Sequence, residues 1–146
     1  MESKEHKKIA IQCFNAVWTI LDKVEPSDEE KLEAIRLAQT STWHWYQCGE
    51  PIHFQRGEWI CSRVYCQFNH LEEALYHARL CRDLTQKYEL KDFDLSYSYE
   101  ALARVYRKLN NTEKFNHYFQ LLVESLDQIA DSEDKKQVER DIQSMQ

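Results

Sequence analysis

Apolar residues recur at three- and four-residue steps along most of the chain, which is the spacing of amphipathic α-helices. In the first such segment, Ile9, Cys13, Val17, Ile20 and Val24 fall on one side. Helical segments of this kind are predicted at about residues 5–24, 28–47, 51–68, 71–88, 92–109, 112–130 and 133–146. Because the linkers between them are short, we expect neighbouring helices to form antiparallel hairpins.

Capping and turn residues mark the predicted helix ends. Pro26 ends the first segment, and Ser27 with Glu30 three residues later is a capping-box signature for the second. Asn69 and Asn110 stand at two turns, where asparagine tolerates a left-handed backbone. The chain has only two glycines and two prolines among 146 residues, too few for the turns of a sandwich, a barrel or an α/β sheet. We therefore predict an all-α fold with six to seven helices.

The chain contains an internal repeat. A shift of 41 positions lays residues 61–77 over residues 102–118. The identical residues are Arg63, Val64, Tyr65, Asn69 and Glu72, which match Arg104, Val105, Tyr106, Asn110 and Glu113. Each hairpin has an apolar face that it cannot bury alone, so the units must stack. We expect one domain over residues 1–146, with a degenerate first hairpin at 5–48, repeat units at 55–88 and 96–130, and a capping helix at 133–146.

The two units resemble the tetratricopeptide repeat family, whose pattern has a small residue at position eight, an aromatic residue at position eleven and alanine at position twenty. Counted from Gln55 and then from Ser96, these positions hold Ser62, Tyr65 and Ala74, then Ala103, Tyr106 and Phe115. The offset is 41 residues where the family has 34. Stretches such as Arg56-Gly57-Glu58-Trp59 also resemble small bacterial repeat proteins of about this length. The resemblance implies a short right-handed stack of hairpins that binds a protein or peptide.

In this family the first helix of each unit lines a groove through five fixed positions. The resemblance assigns those positions to Arg56, Trp59, Arg63, Cys66 and Gln67, and to Tyr97, Glu100, Arg104, Arg107 and Lys108. Five of these ten residues are basic and one is acidic, although the net charge of the chain is −6. Such a groove would suit an extended or acidic segment of a partner. The alternative is that the arginines pair internally with Glu58, Glu100, Asp92 or Asp94 and hold the units together.

Charge and hydropathy limit the partners. A pI near 5.5 argues against binding to nucleic acids or anionic membranes. No apolar run approaches the roughly 20 residues that span a bilayer, and the charged first residues do not resemble a signal peptide. We expect a cytoplasmic protein without a nucleic-acid or membrane partner. The five cysteines form no CxxC motif and are interpreted as buried thiols.

Candidate chemistry is sparse. Three pairs with a four-residue spacing could each offer two metal ligands: His44 and Cys48, Cys66 and His70, and His77 and Cys81. No HExxH or CxxC motif accompanies them, so packing is the favoured interpretation. Asp92 and Asp94, with Glu100 two turns later, could serve acid–base catalysis, but acidic residues at a helix start are typical of capping. Two glycines allow no GxGxxG, GxxxxGK or GxSxG motif. We predict no cofactor and no metal.

The aromatic run Trp43-His44-Trp45-Tyr46, together with Trp59, either packs in the core or lines a surface for a ligand or partner. Because consecutive residues point to different sides of a helix, we expect one of Trp43 and Trp45 to face the core. The favoured function is a non-catalytic interaction module. One alternative is a small-molecule or metal-dependent enzyme with its site between helices. Another is a structural homodimer that uses the same surface.

Overall fold

The computed structural model describes residues 1–146 and confirms the all-α prediction, with 83% helix and no strand. The seven α-helices are α1 (Ser3–Leu21), α2 (Asp28–Cys48), α3 (Pro51–Gln67), α4 (Leu71–Lys87), α5 (Asp92–Lys108), α6 (Thr112–Ser125) and α7 (Ser132–Ser144). A 3-10 turn at Leu126–Gln128 follows α6. Consecutive helices pack as the hairpins α1–α2, α3–α4 and α5–α6, and α7 lies on α5.

Two predicted helix ends, those of α1 and α6, are wrong. Helix α1 ends at Leu21 instead of Val24, whose side chain is 99% exposed. Helix α6 ends at Ser125 instead of Ala130, where the chain tightens into the 3-10 turn and the Ser125 hydroxyl donates to the carbonyl of Leu122 at 2.6 Å.

Other predicted ends are confirmed. In the capping box of α2, the hydroxyl of Ser27 accepts from the amide of Glu30 at 3.1 Å, and the carboxylate of Glu30 accepts from the amide of Ser27 at 3.0 Å. Asn69 and Asn110 have φ values of 65° and 57°, in the left-handed region that asparagine tolerates. These contacts and conformations satisfy the exposed amides and carbonyls at the helix ends.

The internal repeat is visible in the helix bounds. Helices α3 and α5 each have 17 residues and begin and end 41 positions apart. Helix α4 corresponds in the same way to α6 with its 3-10 turn, which together cover residues 112–128. The repeat in sequence is therefore also a repeat of secondary structure.

Side-chain packing repeats with the same offset. Tyr65 stacks on His77 with ring centroids 5.6 Å apart, and Tyr106 stacks on Tyr118 at 5.9 Å. Both members of the second pair lie 41 positions after their counterparts in the first. Each tyrosine packs between the two helices of its unit, so the predicted equivalence of Tyr65 and Tyr106 is confirmed.

The core consists of three clusters, each shared by three consecutive helices. Val17 and Ile60 belong to the cluster of α1–α3, Ala74 to that of α3–α5, and Val138 to that of α5–α7. Ala74 is fully buried, and its carbonyl accepts a hydrogen bond from the hydroxyl of Ser62 at 2.9 Å. The clusters follow one another along the stack, as expected when each hairpin buries its apolar face against the next.

Candidate functional site

A cavity of about 180 Å³ opens between α1, α3 and α5. Most of its wall is formed by five aromatic side chains: Phe14, Trp18, Trp59, Phe93 and Tyr97. The rings of Trp18 and Trp59 are stacked with centroids 6.0 Å apart, and Trp59 meets Tyr97 edge-on at 5.1 Å. We call this site the aromatic cavity. Its shape and wall suit a small apolar or aromatic group.

One polar atom of this wall is unsatisfied. The indole nitrogen of Trp59 is buried and has no hydrogen-bond acceptor within the protein. A buried donor without a partner costs roughly 1–3 kcal/mol. Because the atom is buried, an acceptor oxygen of a ligand reaches it only if neighbouring side chains of the wall move.

An ion pair stands beside the aromatic cavity. The guanidinium of Arg56 donates to both carboxylate oxygens of Asp94, at 2.8 and 3.2 Å, and its side chain remains 50% exposed. The buried side chain of Gln55 donates to the backbone carbonyl of Asp94 at 2.9 Å and to the hydroxyl of Thr85 at 3.2 Å. These bonds fix Asp94, so the predicted groove residue Arg56 is held by the protein itself.

The predicted groove residues Arg63 and Arg104 lie together beside the cavity, in a group that we call the arginine cluster: Arg63, Arg104, Tyr97, Glu100 and Asp141. Each guanidinium approaches two carboxylates. Arg63 lies 3.8 Å from both Glu100 and Asp141, while Arg104 lies 3.4 Å from Glu100 and 3.6 Å from Asp141. The hydroxyl of Tyr97 donates to Asp141 at 2.5 Å. The two arginines thus hold two carboxylates of this chain, one from α5 and one from α7.

Burial dominates the electrostatics of the arginine cluster. Glu100 is only 1% exposed, and burial raises the pKa of its carboxyl even though Arg104 and Arg63 lower it. One of its carboxylate oxygens has no hydrogen-bond donor. Burial also raises the pKa of Tyr97, as does the hydrogen bond to Asp141, so its phenol keeps its proton. The two arginines therefore do not fully offset the free-energy cost of burying the charged form of Glu100.

The remaining predicted groove residues lie toward the ends of α3 and α5. The ammonium of Lys108 donates to the carbonyl of Cys66 at 2.6 Å, and the side chain of Gln67 donates to the carbonyl of Leu21 at 3.2 Å. The first bond joins the end of α5 to the end of α3, and the second joins the end of α3 to the end of α1. Cys66 is buried, whereas Arg107 is exposed and has no ion-pair partner. Only Arg107 of this group is free for an external ligand.

Comparison of the chain with protein-family models, with curated proteins and with solved structures found no match. None of the seven helices has the length and apolar character needed to cross a lipid bilayer. The site must therefore be interpreted from its own geometry.

The structure does not assemble the candidate metal and carboxylate sites. No three side chains of His, Cys, Asp or Glu lie close enough together to hold a metal ion. His77 contacts Glu58 at 3.3 Å, while His44 contacts His6 at 2.8 Å. Asp92 accepts from the amides of Phe93 and Ala130, at 2.7 and 3.1 Å, which joins the start of α5 to the segment before α7. Asp92, Asp94 and Glu100 have separate partners and do not converge on one pocket.

The aromatic run on α2 does not contribute to the core. Trp43 is 57% exposed, while the half-buried Trp45 stacks on His53 with ring centroids 4.2 Å apart. The expectation that one of these tryptophans faces the core is wrong, because the buried face of α2 is occupied by small residues such as Ala34 and Ala38.

Sequence reasoning missed part of the site. It did not place Phe14, Trp18, Phe93, Gln137 and Asp141 near the groove. A signal existed for Trp18, since the 41-residue shift lays it over Trp59, its stacking partner. A signal existed for Asp141 as well, since the same shift lays α7 over the start of α5 and Asp141 over Glu100.

Proposed function

We propose that this protein is a non-catalytic interaction module that holds an extended segment of a partner protein. One apolar side chain of that segment enters the aromatic cavity, and a main-chain carbonyl accepts from the indole of Trp59. The observation that carries this proposal is the aromatic cavity, and it is supported by the buried donor of Trp59, which has no acceptor within the protein. Peptide carbonyls are the acceptors that an extended segment presents at regular intervals.

Helix α7 supports the same interpretation. It lies on α5 beside the cavity, where Tyr97, Arg63 and Arg104 hold its Asp141, and Gln137 forms part of the cavity wall. This face of the protein therefore already holds a helix through a carboxylate. Because Glu100 and Asp141 neutralise the two arginines, the partner segment is anchored by its apolar side chain. A preference for acidic segments stays a prediction that depends on Arg107, since Arg56 is paired with Asp94.

Membership of the tetratricopeptide repeat family likewise remains a prediction. The stack of hairpins and the 41-residue equivalence support it, and proteins of that family bind peptides along the first helices of their units. The enzyme alternative has less support, because the candidate metal ligands and carboxylates do not come together at the aromatic cavity. The homodimer alternative stays a prediction.

Selection of linear peptides from a random display library tests the proposal. We expect the selected peptides to share a large apolar or aromatic residue and to bind in solution with measurable affinity by isothermal titration calorimetry. Trp59→Phe keeps an aromatic ring but removes the indole donor, and should weaken binding about two- to tenfold, the worth of one hydrogen bond. Trp18→Ala enlarges the cavity and should weaken binding further.

Trp43→Phe is the matched control, since Trp43 is exposed on α2 and does not line the cavity. It should leave peptide affinity unchanged. If no sequences are enriched, or if peptides bind Trp59→Phe and Trp18→Ala as tightly as the unaltered protein, the proposed function is wrong.

A further inference from the structure

A second depression lies between α4 and α6 and shares no residue with the aromatic cavity. Its volume is about 300 Å³, at the lower limit of small-ligand sites. We call it the α4–α6 cleft. Its polar and aromatic lining includes Arg79, Arg82, Asp83, Tyr106, His117 and Tyr118. Two guanidinium groups therefore face one depression in a chain whose net charge is −6.

The two arginines are oriented by aromatic side chains and lack counter-ions. The guanidinium of Arg82 lies over the ring of Tyr99, 4.8 Å from its centroid. Arg79 donates to the hydroxyl of Tyr106 at 3.5 Å, and no protein atom accepts a hydrogen bond from Arg82. No carboxylate lies within ion-pair distance of either arginine, although Asp83 lines the same cleft. Of the five N–H donors on each guanidinium, almost all remain available.

The preceding unit provides an internal comparison. There Gln39 donates to the hydroxyl of Tyr65 at 3.5 Å, as Arg79 does to Tyr106. Gln39 also contacts His77 at 3.0 Å, and His77 contacts the buried carboxylate of Glu58. In the preceding unit a chain of hydrogen bonds thus runs from Gln39 through His77 to the carboxylate of Glu58.

The equivalent network is missing between α4 and α6. The 41-residue shift replaces Glu58 with Tyr99 and His77 with Tyr118, so the carboxylate of Glu58 has no counterpart. The cationic Arg79, 40 positions after the neutral Gln39, makes the hydrogen bond to Tyr106 that Gln39 makes to Tyr65, and Arg82 adds a second positive charge. The α4–α6 cleft therefore carries two guanidinium groups at the place where the preceding unit has the hydrogen-bonded side chains of Gln39, His77 and Glu58.

We propose that the α4–α6 cleft binds a phosphate monoester. The phosphate dianion lies between Arg79 and Arg82, and the ester group lies against the rings of Tyr106 and Tyr118. A dianion matches two guanidinium charges, and its oxygens accept paired N–H donors from each planar fork. His117 borders the same cleft and adds a ring nitrogen. This site is independent of the proposed peptide-binding function.

Titration of the ¹⁵N-labelled protein with phenyl phosphate, followed by NMR at constant ionic strength, tests the proposal. We expect chemical-shift changes confined to α4, α6 and the neighbouring part of α5, and weaker binding of inorganic phosphate, which lacks the ring. A tripeptide with a central phosphotyrosine distinguishes a phosphorylated side chain from a small ester as the source. Binding of the tripeptide at least as tightly as phenyl phosphate indicates the former, and binding of phenyl phosphate alone the latter. Both outcomes support the site.

Variants separate the cleft from general attraction between charges. Arg79→Gln installs the side chain found at the equivalent Gln39, and should weaken phenyl phosphate binding about tenfold. Arg82→Lys keeps the charge but loses the planar fork, and should also weaken binding. Arg36→Gln is the control, because Arg36 is exposed on α2, lies outside the cleft and makes no ion pair.

Two results would overturn the proposal. One is the absence of shifts in α4 and α6 with every phosphate probe. The other is equal weakening by Arg36→Gln and by the cleft variants, which would show a general effect of charge. Thermal melts of each variant verify that the fold is retained, and Arg82→Lys provides a second reading if Arg79→Gln unfolds.

Discussion

Glu100 is a buried carboxylate between two arginines, and its cost to stability depends on pH. Because its native pKa is raised, the Glu100 carboxyl keeps its proton to a higher pH in the native state than in the unfolded state. Its contribution to stability is therefore complete at low pH and is lost as the pH rises through the native pKa. Arg63 and Arg104 limit that loss, because their charges lower the pKa of Glu100.

Removing both arginines should therefore be more damaging at neutral than at acidic pH. We expect Arg63→Ala combined with Arg104→Ala to lower the free energy of unfolding by about 3 kcal/mol at pH 7, and by less at pH 5. Urea denaturation at both pH values measures this difference. Arg107→Ala, which removes an exposed arginine of α5 without an ion pair, should have little effect at either pH. An unchanged stability of the double variant would show that the arginines are not structural.

Ala74 occupies a position where only a small side chain fits. It is fully buried in the cluster of α3–α5, and its carbonyl is bound by Ser62 of the facing helix. Ala74→Leu should overpack this contact and lower the free energy of unfolding by about 1–3 kcal/mol. Glu73→Leu places the same side chain at an exposed neighbour on α4, where nothing is overpacked, and should change the melting temperature little. Equal melting temperatures for both variants would contradict the assigned repeat register.

At the scale of elements, α7 is held by apolar contacts and by one carboxylate. Val138 and Ile142 are buried, and Asp141 receives the hydroxyl of Tyr97 and approaches both arginines. Asp141→Ala removes charge-assisted hydrogen bonds worth roughly 1.5–3 kcal/mol. Hydrogen exchange of the α7 amides should then accelerate by about tenfold or more, while exchange in α1 and α2 stays unchanged.

Glu139→Ala is the control for that experiment, since Glu139 is an exposed acid on the same helix and has no ion-pair partner. If both variants accelerate exchange in α7 equally, the effect comes from helix propensity or net charge, and Asp141 does not anchor the helix.

Local signals in the sequence were sufficient for the helices and the repeat, because capping boxes, apolar periodicity and turn asparagines act within a few residues. The site was harder to predict. Arg63 and Arg104 were recognised as a pair, but the choice between a groove and internal ion pairs depends on where α7 lies. The 41-residue shift lays α7 over the start of α5, but its ion pairs are decided by tertiary contacts such as Tyr97 with Asp141. Long-range contacts between individual side chains are therefore what the pattern could not supply.

At the scale of the whole molecule, the separate core clusters predict nearly independent responses to mutation. Val17→Ala affects the cluster of α1–α3, and Val138→Ala affects that of α5–α7. Each should cost about 2 kcal/mol, and the double variant should show the sum to within about 0.5 kcal/mol in urea denaturation. Val17→Ala with Ile60→Val, which share a cluster, should depart from the sum. An equal departure from the sum of the single effects in both double variants would show that the core is continuous.

The docking of α7 also determines which surface the third hairpin presents to solvent. Without it, Tyr97, Ala103 and Leu122 would lie on an open apolar face of the last hairpin. A stack with one uncovered end invites a head-to-tail contact with the start of another copy, and such a contact does not close on itself. Successive additions would then produce filaments of indefinite length. Helix α7 covers this face and presents a polar outer side, and so removes the apolar surface from which such growth would start.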